Sequence, residues 1–391
     1  MAKPEIRLKG FKGEWQETLL KDICDINPSS NIPDVFEYVD LESVVGTSIV
    51  SHRTERRKSA PSRAQRLAKS GDIFYQTVRP YQKNNCIYYE QGTSYVFSTG
   101  YAQLRSQICP EYLFNILQTD TFVNEVLLNC TGTSYPAINP TSLSNLRICY
   151  SENCDEQKSI ANYFKYLDSM ILATTKKIAS LKQMKSASLV SMFPQKGETK
   201  PRVRFKGFKG EWVNSPLGDI FTERVESNVH GEMLSVTMSN GVIKASENGR
   251  FDNSNSDKSK YKVVKVNDIA YNSMRMWQGA SGCSQYEGIV SPAYTVVVPC
   301  DGIDSKFFSY MFKTLPMITL FRLHSQGLTS DTWNLKYPAF SKISVLYPKD
   351  ISEQQQIASF FHSLDKQISL HNKRLEKLKQ IKTACLDKMF V

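Results

Sequence analysis

The densest patch of one chemical type in the sequence is SHRTERRKSAPSRAQRLAK, Ser51 to Lys69. There Arg53, Arg56, Arg57, Lys58, Arg63, Arg66 and Lys69 stand among small hydroxyl residues such as Ser62. Guanidinium and ammonium groups at this density displace counterions from a polyanion, and hydroxyls add neutral hydrogen bonds to phosphate oxygens. Such contacts give affinity but no choice of base. A sparser stretch, GRFDNSNSDKSKYKVVK, carries Arg250, Lys258, Lys260, Lys262 and Lys265. Choice among bases needs side chains that offer two hydrogen-bonding atoms in fixed geometry, arginine for guanine and asparagine or glutamine for adenine. Arg79 and Gln82 in GDIFYQTVRPYQKN, and Arg275 and Gln278 in NDIAYNSMRMWQGA, meet that requirement, with the arginines leading. Tyr81 and Trp277 offer aromatic surface to sugar or thymine methyl, with core packing their competing duty, and Lys83 adds a cation beside them. The polar, glycine-bearing segments Thr131 to Ser142 and Ser325 to Pro338 bring Thr133, Ser134, Tyr135, Thr329, Ser330 and Thr332 as backbone-contact candidates, or serve as turns only.

Composition agrees with a polyanionic partner without requiring one: 49 Lys and Arg against 38 Asp and Glu give a net charge of +11. The hydrophobic share of 41% is that of a globular chain. No apolar run approaches the roughly 20 residues of a membrane span, and MAKPEIRLKGFKGEW lacks the apolar stretch of a secretory leader, so a cytoplasmic, membrane-free location is expected. The nine cysteines include no CxxC pair, and the nearest neighbours, Cys149 and Cys154, have no histidine beside them, so no metal and no cofactor are expected.

These residues sit in a duplicated frame. RLKGFKGEW, ending at Trp15, returns as RFKGFKGEW, ending at Trp212, and EQKSIANYFKYLDSMI from Glu156 returns as EQQQIASFFHSLDKQI from Glu353, both at an offset of 197 residues. A period this long marks two whole units rather than a solenoid. Between the fixed ends the copies diverge, but Asp72, Tyr75, Arg79 and Gln82 keep counterparts in Asp268, Tyr271, Arg275 and Gln278. Short β-branched and aromatic runs such as CIYYE and AYTVVVP, bounded by Gly, Ser, Asn and Pro, read as strands, so each globular part is a mixed α and β domain.

After each globular part comes a long helical pattern. Ile160, Phe164, Leu167, Ile171, Ile178 and Leu181 recur in steps of four and three, as do Ile357, Phe361, Leu364, Ile368, Leu375 and Leu378. That is a coiled-coil seam, with Thr174 and His371 at one shared polar position and Asp155 and Ser352 as expected N-caps. Two copies in one chain favour an approximate twofold axis, which sets the helices antiparallel. A helix of about 35 residues is about 50 Å long and would act as a ruler between two heads, where DNA repeats its groove faces about every 34 Å. The expected fold is α+β: two mixed domains, 1–153 and 197–350, joined by two long antiparallel coiled-coil helices, 154–196 and 351–391, pseudo-twofold symmetric.

With these motifs in view, the sequence resembles the specificity subunits of type I restriction-modification systems over essentially its whole length. The linker FPQKGETKPRVRFKGFKGEW, SRAQRLAKSGDIFYQTVRP, MRMWQGASG, GIVSPAY and the paired EQ-x-x-IA helix starts carry the resemblance. It implies two target recognition domains reading an asymmetric bipartite target in double-stranded DNA. It also implies that the helices bind two modification subunits, which bring S-adenosylmethionine-dependent adenine methylation, and that restriction subunits join through the complex. The chain itself is expected to be non-catalytic. NPSS at Asn27 and NPTS at Asn139 lack the aromatic that stacks a flipped adenine, and no GxxxxGK[ST] loop is present. Asp155, Glu156 and Lys158 would suit a nuclease, but their copies are Ser352, Glu353 and Gln355, as helix capping allows and metal catalysis does not. The alternatives are a self-contained DNA-modifying enzyme and a coiled-coil scaffold without DNA.

Overall fold

The computed structural model describes residues 3–90, 92–248, 257–330 and 332–391, and Arg250 lies outside them. The chain forms two compact units, Met1–Thr175 with Lys373–Val391, and Lys176–Asn372. Its content is α+β, with 38- and 39-residue helices, Cys154–Ser191 and Ile351–Met389, that far exceed every other element among the described residues.

In the first unit the globular head holds two four-stranded sheets. One runs in the order Arg53–Arg56, Val35–Val39, Tyr95–Ser98, Ala64–Leu67, and the other Cys24–Ile26, Tyr101–Ser106, Ile73–Gln76, Cys86–Ile87. All four residues of Ile73–Gln76 are buried, as expected of a strand covered on both faces. Phe74 stacks on Phe97 with centroids 3.5 Å apart, and Tyr101 meets both edge-on. A second core, around Trp15, Tyr112, Leu117 and Ile148, receives Ile160, Phe164 and Leu167 from the start of the first long helix and Leu378, Met389 and Phe390 from the end of the second. Within this unit Tyr163 faces Cys385 and Asp168 pairs with Lys382 at 2.5 Å, so the two helical stretches run antiparallel.

The second unit repeats the scheme. Its head has the sheet Phe221–Glu223, Tyr294–Pro299, Ile269–Asn272, Ser281–Cys283, the strand pair Lys262–Val264 with Gly288–Val290, and the hairpin Leu234–Thr237 with Gly241–Lys244. A parallel bridge from Met233 to Ile289 joins the last two pairs, just as Val35–Val39 runs parallel to Tyr95–Ser98 in the first head. Its helical core mirrors the other: Leu181, Met192 and Phe193 pack with Ile357, Phe361 and Leu364, and Lys185 pairs with Asp365 at 2.5 Å. Asp168 and Asp365, like Lys185 and Lys382, stand 197 residues apart, so one pairing rule serves both units.

The long helices begin at Cys154 and Ile351, as the expected bounds have it, but their caps lie two residues before Asp155 and Ser352. Asn153 caps the first through its Oδ1, which accepts from the amides of Asp155 and Glu156 at 2.9 and 3.1 Å. Asp350 caps the second, accepting from the Ser352 amide at 2.9 Å, and this bond with that of the Ser352 hydroxyl holds the Asp350 carboxyl below its usual range. Asp155 and Ser352 therefore lie inside the first turn. The seam residues are buried or half-buried throughout, including Ile171, Ile178, Ile368 and Leu375. Ile160, Phe164, Leu167, Ile171 and Leu378 join the core of the first unit, and Leu181, Ile357, Phe361, Leu364 and Ile368 that of the second. Thr174, also buried, turns its hydroxyl onto the Met170 carbonyl at 2.7 Å.

The repeated RLKGFKGEW and RFKGFKGEW segments have a structural duty. Arg7 sends Nε and Nη2 to the two oxygens of Glu156 at 2.6 and 2.8 Å, while its other contacts reach the carbonyls of Lys12 and Gly13. Arg204 repeats this with Glu353 at 2.6 and 2.7 Å. Each bidentate pair ties the segment leading into a head to the first turn of the helix that leaves it. Burial alone would push the Glu156 carboxyl up, but the Arg7 guanidinium and the Ser151 hydroxyl outweigh it and hold the group below its ordinary value. A carboxyl depressed in the folded state stabilises above its unfolded pKa, and that contribution is lost as pH falls through the folded value. Thermal melts between pH 6 and 3 are expected to show the wild type losing stability below about pH 4.5, with Glu156→Gln, already destabilised, losing less.

Candidate nucleic-acid interface

The basic patch of the first head is a pinned crossover rather than a free loop. The strands Arg53–Arg56 and Ala64–Leu67 lie at opposite edges of their sheet, so 57–63 must cross its face from one end to the other. The Arg57 amide is anchored on the Asp34 carbonyl and the Arg63 carbonyl on the Thr99 amide, while Ala60 packs on the Phe36, Tyr38 and Val96 cluster. Arg56, Arg57, Lys58, Ser62 and Arg63 are exposed along this crossing. Arg53 is engaged with Asp40 and Glu55, but among the described residues no carboxylate pairs with Arg56, Arg57, Lys58, Arg63 or Arg66. Half-burial lowers the Arg66 pKa, and its buried Nε has no hydrogen-bond partner.

The second head is different. Lys262 and Lys265 pair with Glu223 and Glu226, and Lys244 pairs with Glu232. Lys258 is half-buried and Lys260 exposed beside Asp257. Of the five cations read from this stretch, Lys262 and Lys265 are thus offset locally, and Arg250 lies outside the described residues.

In each head the arginine turn and the polar loop before the last strand meet. In the first, the Arg79 amide donates to the Pro136 carbonyl at 2.8 Å, the Ile138 amide donates to the Thr77 carbonyl, and Val78 bridges Ala137. In the second, the Leu335 amide donates to Ser273 at 2.8 Å. The loops close by mutual bonds of Thr131 with Ala137 and Gln326 with Asn334. Gly132 and Gly327 have positive φ, and a Cβ at either would press on the returning backbone, at 3.1 Å from the Tyr135 oxygen and 2.6 Å from that of Thr332. Thr133, Ser134, Thr329 and Ser330 stand exposed on these loops, the last two beside Asp331, which is outside the described residues.

The counterparts at the turn divide into scaffold and surface. Asp72 is buried and held by Arg105, from the strand Tyr101–Ser106, at 2.9 Å, while Asp268 is held by Arg224, just past Phe221–Glu223, at 2.6 Å. Tyr75 and Tyr271 are fully buried. Tyr81 is exposed, and Gln82 accepts from Gln76 at 2.9 Å. Trp277 donates its indole N–H to the Met274 carbonyl and meets Trp333 edge-on at 5.3 Å, while Gln278 accepts from Arg275 at 3.3 Å. Lys83 is a brace: its ammonium binds the Gln118 carbonyl and Asp120, which holds an unfavourable left-handed backbone, φ 54°, in place. In the second head the brace comes from the other side. Gly279 takes the left-handed position, and Lys313, whose pKa burial pushes down to about 8, binds the carbonyls of Met238, Gly279 and Ser281. Lys313 escaped the sequence reading because its role appears only once the helix is placed beside the turn.

Among the described residues no group of His, Cys, Asp and Glu is arranged to hold a metal ion, and no helix is long and apolar enough to cross a membrane. Each head offers cations, hydroxyls and one arginine turn, chemistry suited to a polyanion.

Two comparisons with known proteins bear on part of the chain. Residues 209–380 match the family model of the type I restriction modification DNA specificity domain. Over 193 residues, 46% of this chain, the sequence is 25% identical to the type I restriction enzyme HindI specificity subunit of Haemophilus influenzae, of whose length the match covers 41%. The specificity-domain match thus covers somewhat under half of the chain, and the chain spans under half of the length of the curated relative it matches. Its fold is similar to that of the S subunit of a type I restriction-modification system from M. genitalium, with a TM-score of 0.61 at 15% identity over 100% of this chain and 99% of that one. A chain from a structure of complex assembly and conformational transition in a type I R-M system gives 0.55 at 19% over 97% and 98%.

Proposed function

We propose that this chain is the non-catalytic, DNA-reading subunit of a type I restriction-modification complex in the cytoplasm. Its two heads read two different half-sites of one asymmetric target in double-stranded DNA, and its long helices dock two modification subunits, through which restriction subunits join. The observation that carries this reading is a duplicated frame with divergent faces. Buried Asp72 and Tyr75 recur as Asp268 and Tyr271, while the exposed chemistry of the adjoining turns, crossovers and loops differs. A shared scaffold with unlike surfaces suits two readers of unlike sequences. The family match over 209–380 supports the reading for the second head, and the repeat extends it to the first. Because the seam residues are buried, docking falls to outward side chains of the helices, where Tyr166, Leu172, Met184 and Leu370 are exposed.

The first head supplies phosphate contacts from Arg56, Arg57, Lys58, Arg63 and Arg66, with Ser62, Thr133 and Ser134 as neutral donors. Arg79, Tyr81 and Gln82 face the bases. In the second head Arg275, Trp277 and Gln278 take the base-facing role, with Lys258, Lys260, Thr329 and Ser330 on the backbone. Lys83 is reassigned to bracing the turn. The test is selection from a random duplex library by the chain assembled with its modification subunits. Two conserved blocks separated by an unread spacer are expected, and a single continuous block or no enrichment would contradict the proposal.

A further inference from the structure

The Arg79 guanidinium lies 4.2 Å over the Tyr135 ring, although the two residues belong to separate elements. Tyr135 is 64% exposed, so this ring is not there to fill a core. Arg79 has a left-handed backbone, φ 54° and ψ 56°, its amide is fixed by the Pro136 carbonyl, and its own carbonyl accepts from Gln82. Among the described residues the guanidinium makes no ion pair and no side-chain hydrogen bond, so its edge donors are unengaged while its face is covered. A face-stacked guanidinium retains the in-plane fork that pairs with guanine O6 and N7. The loop that delivers Tyr135 is shaped for the purpose, since Gly132 lets the chain return within reach of the turn. The second head lacks this device: Arg275 is steered by Gln278, and its loop aromatic Trp333 meets Trp277 instead.

We infer that Tyr135 is a positioning residue of the first head, holding Arg79 face-on so that its edge is presented ready-made to one base, with guanine favoured. This rests on the reading of the first head as a DNA reader. Stacking reduces the rotamer freedom that a long arginine would lose on binding, so the gain should appear as discrimination at one base pair.

The experiment uses the full chain assembled with its modification subunits and duplexes carrying its mapped target. Fluorescence anisotropy compares the cognate duplex with duplexes changed one base pair at a time through the half-site of the first head. R79A is expected to reduce discrimination at one position by about tenfold or more. Y135A is expected to reduce it at the same position by about two- to fivefold, with binding to the mismatched duplexes unchanged. Y135F, which keeps the ring, should behave as wild type, and Y135A in the R79A background should cost nothing further. Wild-type discrimination by Y135A alongside a defective R79A would overturn the positioning role and leave DNA reading intact. If R79A also discriminates normally while alanines at Arg56, Arg57 and Lys58 weaken binding, the inference fails and the reader stands. If those alanines also bind normally, both fail.

Discussion

Alanine at Arg56, Arg57, Lys58, Arg63 and Arg66 together is expected to weaken DNA binding by on the order of a hundred- to a thousandfold near physiological salt and to flatten its salt dependence. Each phosphate neutralised contributes about 0.9 to the slope of log affinity against log salt, so five lost contacts would reduce its magnitude by up to about 4.5. The structure favours this patch over the basic stretch of the second head because its charges are unpaired and displayed on a crossover fixed at both ends. Arg66 adds to the argument. Burial lowers the Arg66 pKa, so this cation is the least well solvated of the five. The loss should be nearly uniform across duplex sequences, unlike the effect of R79A. Titrations at several salt concentrations measure both quantities, and an unchanged slope would remove the patch from the interface.

Arg7→Ala is expected to destabilise the first unit by about 3 kcal/mol, because it leaves the Glu156 carboxylate, with no exposed side-chain surface, without its bidentate partner. For a unit of this size that corresponds to a fall in melting temperature of roughly 6–12 °C. Arg204→Ala should do the same to the second unit through Glu353, whose side chain is 1% exposed. The comparison is internal: in calorimetry of the two variants, each should lower one transition and leave the other in place. A change in both transitions from either substitution would mean the two units do not unfold separately.

The sequence carried the large-scale plan because repetition needs no three-dimensional knowledge. An offset kept from Trp15 and Trp212 to Asp168 and Asp365 announces two units, and a seam in steps of four and three announces long helices. The same offset relates Arg7 to Arg204 and Glu156 to Glu353, so the clamp was visible as two repeated opposite charges. What hid it was the separation of 149 positions between its partners. The helix caps were misplaced by two residues because Asn153 and Asp350 lie outside the periodic pattern. Within the heads, periodicity says little about which side chains are scaffold. Lys83 braces from within its turn while Lys313 reaches the equivalent turn from a distant segment, and Asp72 and Asp268 take arginines from different segments, so equivalent contacts are made by positions that do not align. Arg79 and Tyr135 were each legible as polar-surface candidates, but their stacking depends on a loop closure that only the fold reveals.

Exchange of one head tests the central claim most directly. Residues 16–150 would be replaced by the corresponding head of a specificity subunit with a different known target, and methylated adenines mapped in DNA from cells carrying the complete system. One half of the methylated target should change while the other half and the spacer remain. A target altered in both halves, or unaltered in either, would contradict two independent readers in one chain.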